Sequence, residues 1–200
     1  MNQKFFFCVL MAALVFTSCK KNKDSLGGAP SPIGEAGVTF STNYGTIAGV
    51  SNVAATVASL NNGVSSINGS ATVTNATIKN IVSNHPEATI NGNNVTITGV
   101  EFKMTTEGVE AVYGLQPGII VKYDSNVGDT YSLDDGVTRT VTAKSTDNDF
   151  YWGGMLIKII QVEEKLNKFG VKKILYWGNH RFGLVAIEFQ FDDNSTARFP

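Results

Sequence analysis

Short alternations of apolar and polar residues occupy most of the chain after residue 37. In the first half they are VTFST, VAATVAS, SATVT and VTITGVEF, and Asn/Gly clusters such as Asn61-Asn62-Gly63 separate them. Side chains of a strand alternate between the two faces of a sheet, and Asn and Gly accept the positive φ angles of tight turns. The first half is therefore predicted to form antiparallel strands joined by hairpins.

One segment of this half has a helical period instead. In NATIKNIVSNHP, three apolar residues, Ile78, Ile81 and Val82, fall at i, i+3 and i+4. Asn75 is a suitable N-cap, and Pro86 stops the run. The pattern predicts a short helix near residues 76–84, with its apolar stripe packed on the core.

The second half carries longer candidate strands: IIVKY, VTRTVTAKS, YWGGMLIKIIQVEE, VKKILYWG, FGLVAIEFQF and STARF. In FGLVAIEFQF, the alternation places four apolar residues on one face: Val185, Ile187, Phe189 and Phe191. The less periodic MLIKII fits a central strand covered on both faces. We predict a mainly β fold, an antiparallel sandwich or partly closed barrel with one short helix.

The chain divides into two β regions by charge and by one candidate seam. Between residues 38 and 100 the charged side chains are Lys79 and Glu87, whereas charge returns after Ile119. We predict an N-terminal β region over residues 38–117 and a C-terminal antiparallel meander over 118–200. The two are expected to pack together, with the seam near residues 113–118.

The N-terminus has the pattern of a targeting segment. Lys4 precedes a run of 12 apolar residues, 5–16, which is too short to span a bilayer, since that takes about 20 residues. With the following TSC, the chain resembles a bacterial lipoprotein precursor. The resemblance implies a signal peptide over residues 1–18 and acylation of Cys19, for example with palmitate, as the membrane anchor. The alternative is a plain secretory signal with an incidental cysteine.

Cysteine chemistry beyond the anchor is not expected. Cys8 leaves with the signal peptide, so the folded part holds no thiol for a disulfide, metal site or nucleophile. Residues 19–37 are rich in Gly, Pro and charge and lack an apolar period. They are predicted to form a flexible tether that reaches ~20–25 Å.

A second resemblance concerns location. The SCKK motif with a Thr/Asn-rich domain, and the run from VGDTYSLDDG to DDNSTARF, resemble uncharacterised lipoproteins of the Bacteroidetes, which implies the outer membrane. In that group, acidic residues after the cysteine signal export to the surface. Here Lys20, Lys21 and Lys23 precede the first acid, Asp24, so a periplasmic-facing protein is favoured over a surface one.

Composition and motifs exclude several function classes. A formal net charge of −1 argues against a nucleic-acid partner, which needs a basic face. The sequence has no G-x-S-x-G, H-E-x-x-H, P-loop or dinucleotide fingerprint. The two histidines, His85 and His180, do not make a metal site without carboxylates. We therefore predict no cofactor and no catalytic residue.

Acidic side chains leave two weaker alternatives open. The clusters at residues 147–149 and 192–194 are of a type that chelates calcium, but they lack the closing bidentate Glu of a calcium loop. A glycan-acting hydrolase needs two facing carboxylates. No spacing pairs Glu163, Glu164 and Glu188, and solvated strand faces explain them.

One aromatic constellation is the candidate binding site. Two segments, DFYWGG and YWGNHRFG, place aromatic and polar side chains at turns or strand ends: Asp149, Trp152, Trp177, Asn179, His180 and Arg181. Aromatic faces beside Asn, Asp and Arg are the chemistry of sugar recognition. The alternative is that both tryptophans plug the ends of the β core while residues 179–181 turn the chain.

Two function classes follow. The first is a membrane-anchored, non-enzymatic module that binds glycan or cell-envelope material. The second is a structural or assembly subunit that binds another envelope protein through strand edges or its Thr/Asn-rich half. Exposed tryptophans favour the first class, and buried tryptophans with an apolar patch elsewhere favour the second.

Overall fold

The structure, a computed structural model, describes residues 25–41, 45–112, 117–133 and 136–200. The predicted signal peptide, Cys19 and most of the predicted seam lie outside the described residues. Most of both β regions lies within them.

The first sheet comes from the N-terminal region and is antiparallel throughout. Its strands are β1 Thr39–Ser41, β2 Val50–Asn61, β3 Val64–Val73, β4 Ala88–Asn91, β5 Asn94–Met104, β6 Gly108–Ala111 and β7 Gly118–Lys122. Their order in the sheet is β1-β2-β3-β5-β6-β7, and β4 pairs with β5. The turn between β2 and β3 uses Asn62 and Gly63, both at positive φ, as the Asn/Gly pattern predicts.

The second sheet comes from the C-terminal region. Its strands are β8 Thr130–Ser132, β9 Thr138–Lys144, β12 Ile160–Lys168, β13 Val171–Asn179, β14 Gly183–Phe191 and β15 Thr196–Phe199, in the order β15-β14-β13-β12-β9-β8. A separate two-stranded ribbon joins β10 Phe150–Trp152 to β11 Met155–Ile157. The predicted fold class is confirmed: over the described residues the protein is mainly β, antiparallel and sandwich-like, with one short α-helix and without a closed barrel.

The predicted helix, α1, spans Ala76–Ser83. Asn75 caps it, because its side-chain oxygen accepts a hydrogen bond from the Ile78 N–H at 3.1 Å. Ile78 is buried in the core, with Ile81 and Val82 packed beside it. Among the described residues, no helix is long and apolar enough to cross a bilayer.

Both halves of the chain contribute to one main core. It includes Val73, Val95 and Val121 from the first sheet, and Val162 and Tyr176 from the second. The sheets approach closely at Gly178, where a Cβ would lie 2.8 Å from a Val121 methyl carbon. The absence of a side chain at Gly178 therefore lets the two sheets meet.

The predicted flexible tether is wrong for residues 25–37, which pack on the first sheet. Leu26 is buried, and Pro30 forms an antiparallel bridge with Thr105. The Leu26 N–H donates to Glu110 Oε2 at 2.8 Å, and Lys103 Nζ donates to the Leu26 carbonyl. A single buried apolar residue, and hydrogen bonds between its backbone and two charged side chains, thus fix a segment that has no periodic pattern. We call residues 25–31 the N-terminal strap.

The expected central strand MLIKII is also wrong. Gly153 and Gly154, both at positive φ, turn the chain after β10, so that Met155 and Leu156 lie in the ribbon rather than in a sheet. Met155 is 46% exposed and Leu156 is 56% exposed. Only the end of this segment, from Ile160 onward, enters the second sheet as β12.

The predicted face of β14 holds from Ile187 onward and fails at Val185. Ile187, Phe189 and Phe191 belong to the main core, whereas Val185 packs on the opposite side of the sheet. The register with β13 shifts between Trp177 and Gly178, which leaves Val185 as an extra residue. Such a bulge changes the face that a side chain joins.

Candidate functional site

The ribbon covers an aromatic cluster on the outer side of the second sheet. We define the aromatic cluster as Phe150, Trp152, Trp177 and Phe182. The rings of Trp152 and Phe182 lie 4.8 Å apart and those of Phe150 and Trp177 lie 6.4 Å apart, between centroids. Trp177 is buried and Trp152 is half-buried. The two predicted tryptophans are therefore brought together, but within a second, smaller core.

Arg198, from β15, closes one side of the aromatic cluster. Its guanidinium carbon lies 4.5 Å from the Trp177 ring centroid and 5.0 Å from that of Phe150. A cation over an aromatic face is attracted by the ring quadrupole. Arg198 therefore covers the indole face that a sugar would need for stacking.

The polar members of the predicted site divide between turn and surface. Asn179 is buried: it donates to the Lys158 carbonyl at 2.7 Å and accepts from the Arg181 N–H at 2.8 Å. His180 and Arg181 are exposed in this turn. Asp149 is exposed and accepts from the Ser145 hydroxyl at 2.6 Å. Asn179 thus shapes the turn, as the alternative interpretation of the sequence expects.

The outer face of the ribbon is apolar and open. Tyr151 pairs directly with Leu156, so both side chains project away from the aromatic cluster. Tyr151 is 73% exposed. The exposed aromatic side chain of this region is therefore a tyrosine that was not among the predicted site residues.

A different kind of surface covers the first sheet. One row of directly paired residues crosses five strands: Ser41, Ala54, Ser70, Thr96 and Thr89. A second row starts with Thr39, Thr56 and Asn68, and Thr98 extends it on β5. All nine side chains are exposed, small and uncharged. We call this surface the hydroxyl face.

The geometry of a sheet makes the hydroxyl face a regular array. Neighbouring strands lie about 4.8 Å apart, and side chains on one face repeat about every 6.7 Å along a strand. Asn68 is fixed in place, because its side-chain oxygen accepts from the Gly99 N–H at 2.9 Å. Short side chains lose little rotamer entropy on binding, so this array can bind a hydroxyl-rich ligand at low entropic cost.

A buried ionic cluster between the sheets was not predicted. Glu164 Oε2 accepts from Arg139 Nε at 2.7 Å and from the Tyr176 hydroxyl at 3.0 Å. Arg139 also donates to the carbonyls of Gly118 and Ile119 on β7. Burial and the Glu164 carboxylate raise the pKa of Tyr176 well above its usual value, so the hydroxyl keeps its proton. The cluster ties the second sheet to β7.

The interpretation of Glu164 as a solvated strand residue is therefore wrong. Glu164 is 0% exposed, and its Oε1 has no hydrogen-bond partner among the described residues. The alternation of each strand indicates that these charges are buried. Arg139 lies two residues from the buried Val141, and Glu164 two residues from the buried Val162, so both share the inward face of their strands. A charge at an inward position needs a partner of opposite sign.

The other acidic candidates are held by nearby side chains. Glu163 pairs with Lys173 at 2.7 Å, and Glu188 accepts from Gln190 at 3.2 Å. Hydrogen bonds from Ser195 lower the pKa of Asp193, which shapes the turn before β15. Within the described ranges, no three His, Cys, Asp or Glu side chains gather as metal ligands would.

An open cleft of about 390 Å³ lies beside the N-terminal strap. Thr106, Glu107, Lys122, Tyr123 and Asp124 line it. The Glu107 carboxylate accepts from the Gly27 N–H at 3.1 Å, and burial raises the pKa of Tyr123 to about 12. The tyrosine is therefore a neutral hydroxyl at neutral pH, and Glu107 serves to hold the strap.

No known protein family, curated protein or solved structure matches this chain. Its function has to be argued from the surfaces described above.

Proposed function

We propose that this protein is a lipid-anchored, non-catalytic binding module of the bacterial envelope, which binds neutral glycan through its hydroxyl face. Cys19 carries the lipid, and the domain faces the periplasm from the outer membrane. The observation that carries the ligand class is the composition of the hydroxyl face, which has nine exposed positions and no charge.

Charge and side-chain type favour glycan over a protein partner for this surface. Soluble proteins keep about a quarter or more of their surface charged, so a broad uncharged sheet face is unusual. Protein interfaces are enriched in aromatic residues, Met and Arg and depleted in Ser and Ala. Rows of Thr, Ser and Asn instead match the hydroxyl groups of a sugar chain, and they do not repel it electrostatically.

The aromatic cluster supports this assignment by its position. Trp177 lies beneath Phe150 and Arg198, and Trp152 packs on Phe182, so neither ring is a free stacking platform. A stacking role for Trp152, Trp177, Asn179, His180, Arg181 and Asp149 stays a prediction. It requires the ribbon to move.

The test is sedimentation of the full-length protein with insoluble neutral polysaccharides, with an acidic polysaccharide for comparison. Lysine at Thr56 and Thr96 should reduce binding at least tenfold, because two charges desolvate poorly against sugar. Thr130→Lys, an exposed threonine on β8 of the other sheet, is the matched control and should bind normally. If the Thr56→Lys/Thr96→Lys variant is folded and binds glycan as well as the unchanged protein, the proposal is overturned.

The same variants address the second class, an assembly subunit. The hydroxyl face is a protein-docking surface if two results are found together. The unchanged protein and the variants all fail to bind glycan, and the variants alone lose cross-linking to one envelope protein.

A further inference from the structure

The N-terminal strap shortens the distance between the domain and its anchor. Ser25 donates its hydroxyl to Glu110 at 3.0 Å, so this residue is held on the first sheet. Five residues, 20–24, separate it from Cys19. A chain of that length spans at most about 20 Å. This step rests on the lipid anchor of the proposed function.

The strap leads to one end of the sandwich, where several strands terminate. Gly28 lies against Thr106 and Glu107 in the turn between β5 and β6, and the Tyr123 N–H donates to the Glu107 carbonyl at 2.8 Å. Ile33, just after the strap, packs on Gly183, the first residue of β14. The start of the domain and the β13–β14 turn are thus at the same end.

The loops of the second sheet complete this end. Lys144 Nζ donates to the Ser125 carbonyl at 2.7 Å, which joins the end of β9 to the loop after β7. Ser145 then pairs through its backbone with Ile159, next to the ribbon. Trp152, at the ribbon tip, contacts Phe182 in the β13–β14 turn.

Exposed apolar side chains concentrate at this end. Among the described residues, six large hydrophobic side chains are exposed: Phe40, Val112, Val127, Tyr151, Met155 and Leu156. Four of these six lie on the ribbon or on the loop after β7. Val127 is 60% exposed, and the ribbon carries the other three.

We propose that this end of the sandwich rests on the bilayer, with Tyr151 and Leu156 of the ribbon inserted at the lipid headgroup level. A tyrosine beside aliphatic side chains is the composition of interfacial anchors. The charge beside the ribbon is mixed: Lys158 and Arg181 are exposed there and can pair with lipid phosphates, and Asp149 is exposed as well. The short link keeps these side chains near the membrane, and their contact fixes the orientation of the domain.

The experiment uses the full-length lipoprotein in phosphatidylethanolamine/phosphatidylglycerol vesicles. After processing, Cys19 is acylated, so Leu156→Cys introduces the one free thiol for an environment-sensitive fluorophore. Ala54→Cys, on the hydroxyl face, is the matched control. We expect a blue shift and quenching by lipid-borne nitroxide at position 156, and neither effect at position 54. Tyr151→Cys provides a second position if labelling at 156 disturbs the ribbon.

Each alternative result has a distinct meaning. Protein that does not float with the vesicles would refute the anchor itself. Protein that floats, but whose label at 156 is quenched by aqueous iodide as readily as the label at 54, would overturn membrane contact and leave glycan binding untouched. Accessibility at 156 in vesicles with protection in native outer membranes would also overturn it, and would assign the ribbon to a protein partner.

Discussion

The outer faces of the two sheets meet solvent in opposite ways: the first is polar and open, and the second is apolar and covered. On the first sheet, small uncharged side chains such as Thr56 and Thr96 stay exposed. On the second, large apolar side chains such as Trp177 and Val185 point outward, and the ribbon covers them to form a second core. A sheet face can be left open only where its side chains tolerate water. The stability of the protein should therefore depend far more on the second face than on the first.

The largest effect is expected from the ionic cluster that joins the second sheet to β7. Glu164→Ala removes the carboxylate partner of a buried arginine and should lower the free energy of unfolding by about 3–5 kcal/mol. Glu163→Ala, on the next residue of the same strand, breaks a partly exposed pair with Lys173 and should cost about 0–1 kcal/mol. Urea unfolding followed by circular dichroism measures both. Equal costs would mean that the cluster contributes no more than a surface pair.

The covered face should be next in sensitivity. Trp177→Ala leaves a cavity beneath the ribbon and should cost about 3 kcal/mol, the lower end for an aromatic truncation, because the two-stranded ribbon can settle into the space. Tyr151→Ala, on the exposed side of the same ribbon, should change stability by less than about 0.5 kcal/mol. Hydrogen exchange checks this expectation. Equal protection of the ribbon amides in both variants would show that the ribbon does not depend on the covered face.

A smaller effect is expected at high pH, from Tyr123, just after β7, and Tyr176, on β13. Burial raises the pKa of Tyr123 to about 12, and burial with the Glu164 carboxylate raises that of Tyr176 as well. The unfolded chain loses these protons from about pH 10, earlier than the folded protein. The stabilisation is therefore complete below that pH and is lost as the pH rises through the folded values. Tyr123→Phe should flatten the alkaline decline of urea midpoints, and an unchanged decline would contradict the assignment.

The smallest effect is expected on the open face. Thr56→Lys and Thr96→Lys each place a solvated charge on an exposed strand position and should change the free energy of unfolding by less than about 0.5 kcal/mol. Thermal unfolding checks this, beside the binding experiment on the same variants. A loss well above that value would show that the face is covered in the folded protein.

Local patterns predicted the elements, whereas contacts distant in sequence decided the rest. Asn75 and Pro86 bounded the helix, and Asn62-Gly63 marked a hairpin, because caps and turns depend on neighbouring residues. The pair Arg139–Glu164 joins residues 25 apart, and only their inward parity hinted at it. Leu26 gave no periodic signal, since a single apolar residue cannot show one. Gly153-Gly154 is a local turn signal as well, and it marks the ribbon that precedes β12.

The two tryptophans show how site prediction differs from element prediction. Their proximity to turns placed them correctly at one end of the second sheet. Their burial depended on the ribbon that folds over them and on Arg198, which comes from the last strand. No pattern within DFYWGG or YWGNHRFG specifies either cover, so exposure could not be predicted from those segments.

The separation of the sheets along the chain bears on how the protein is made. Every strand of the first sheet lies between residues 39 and 122, and every strand of the second lies between 130 and 199. During synthesis, the first sheet can thus complete its pairing before the second has emerged, because none of its strands comes later in the chain. The inner side of that early sheet would stay uncovered until β12 and β13 arrive. General chaperones would therefore be expected to engage the partly synthesised chain at Val95 and Val121, rather than at the hydroxyl face.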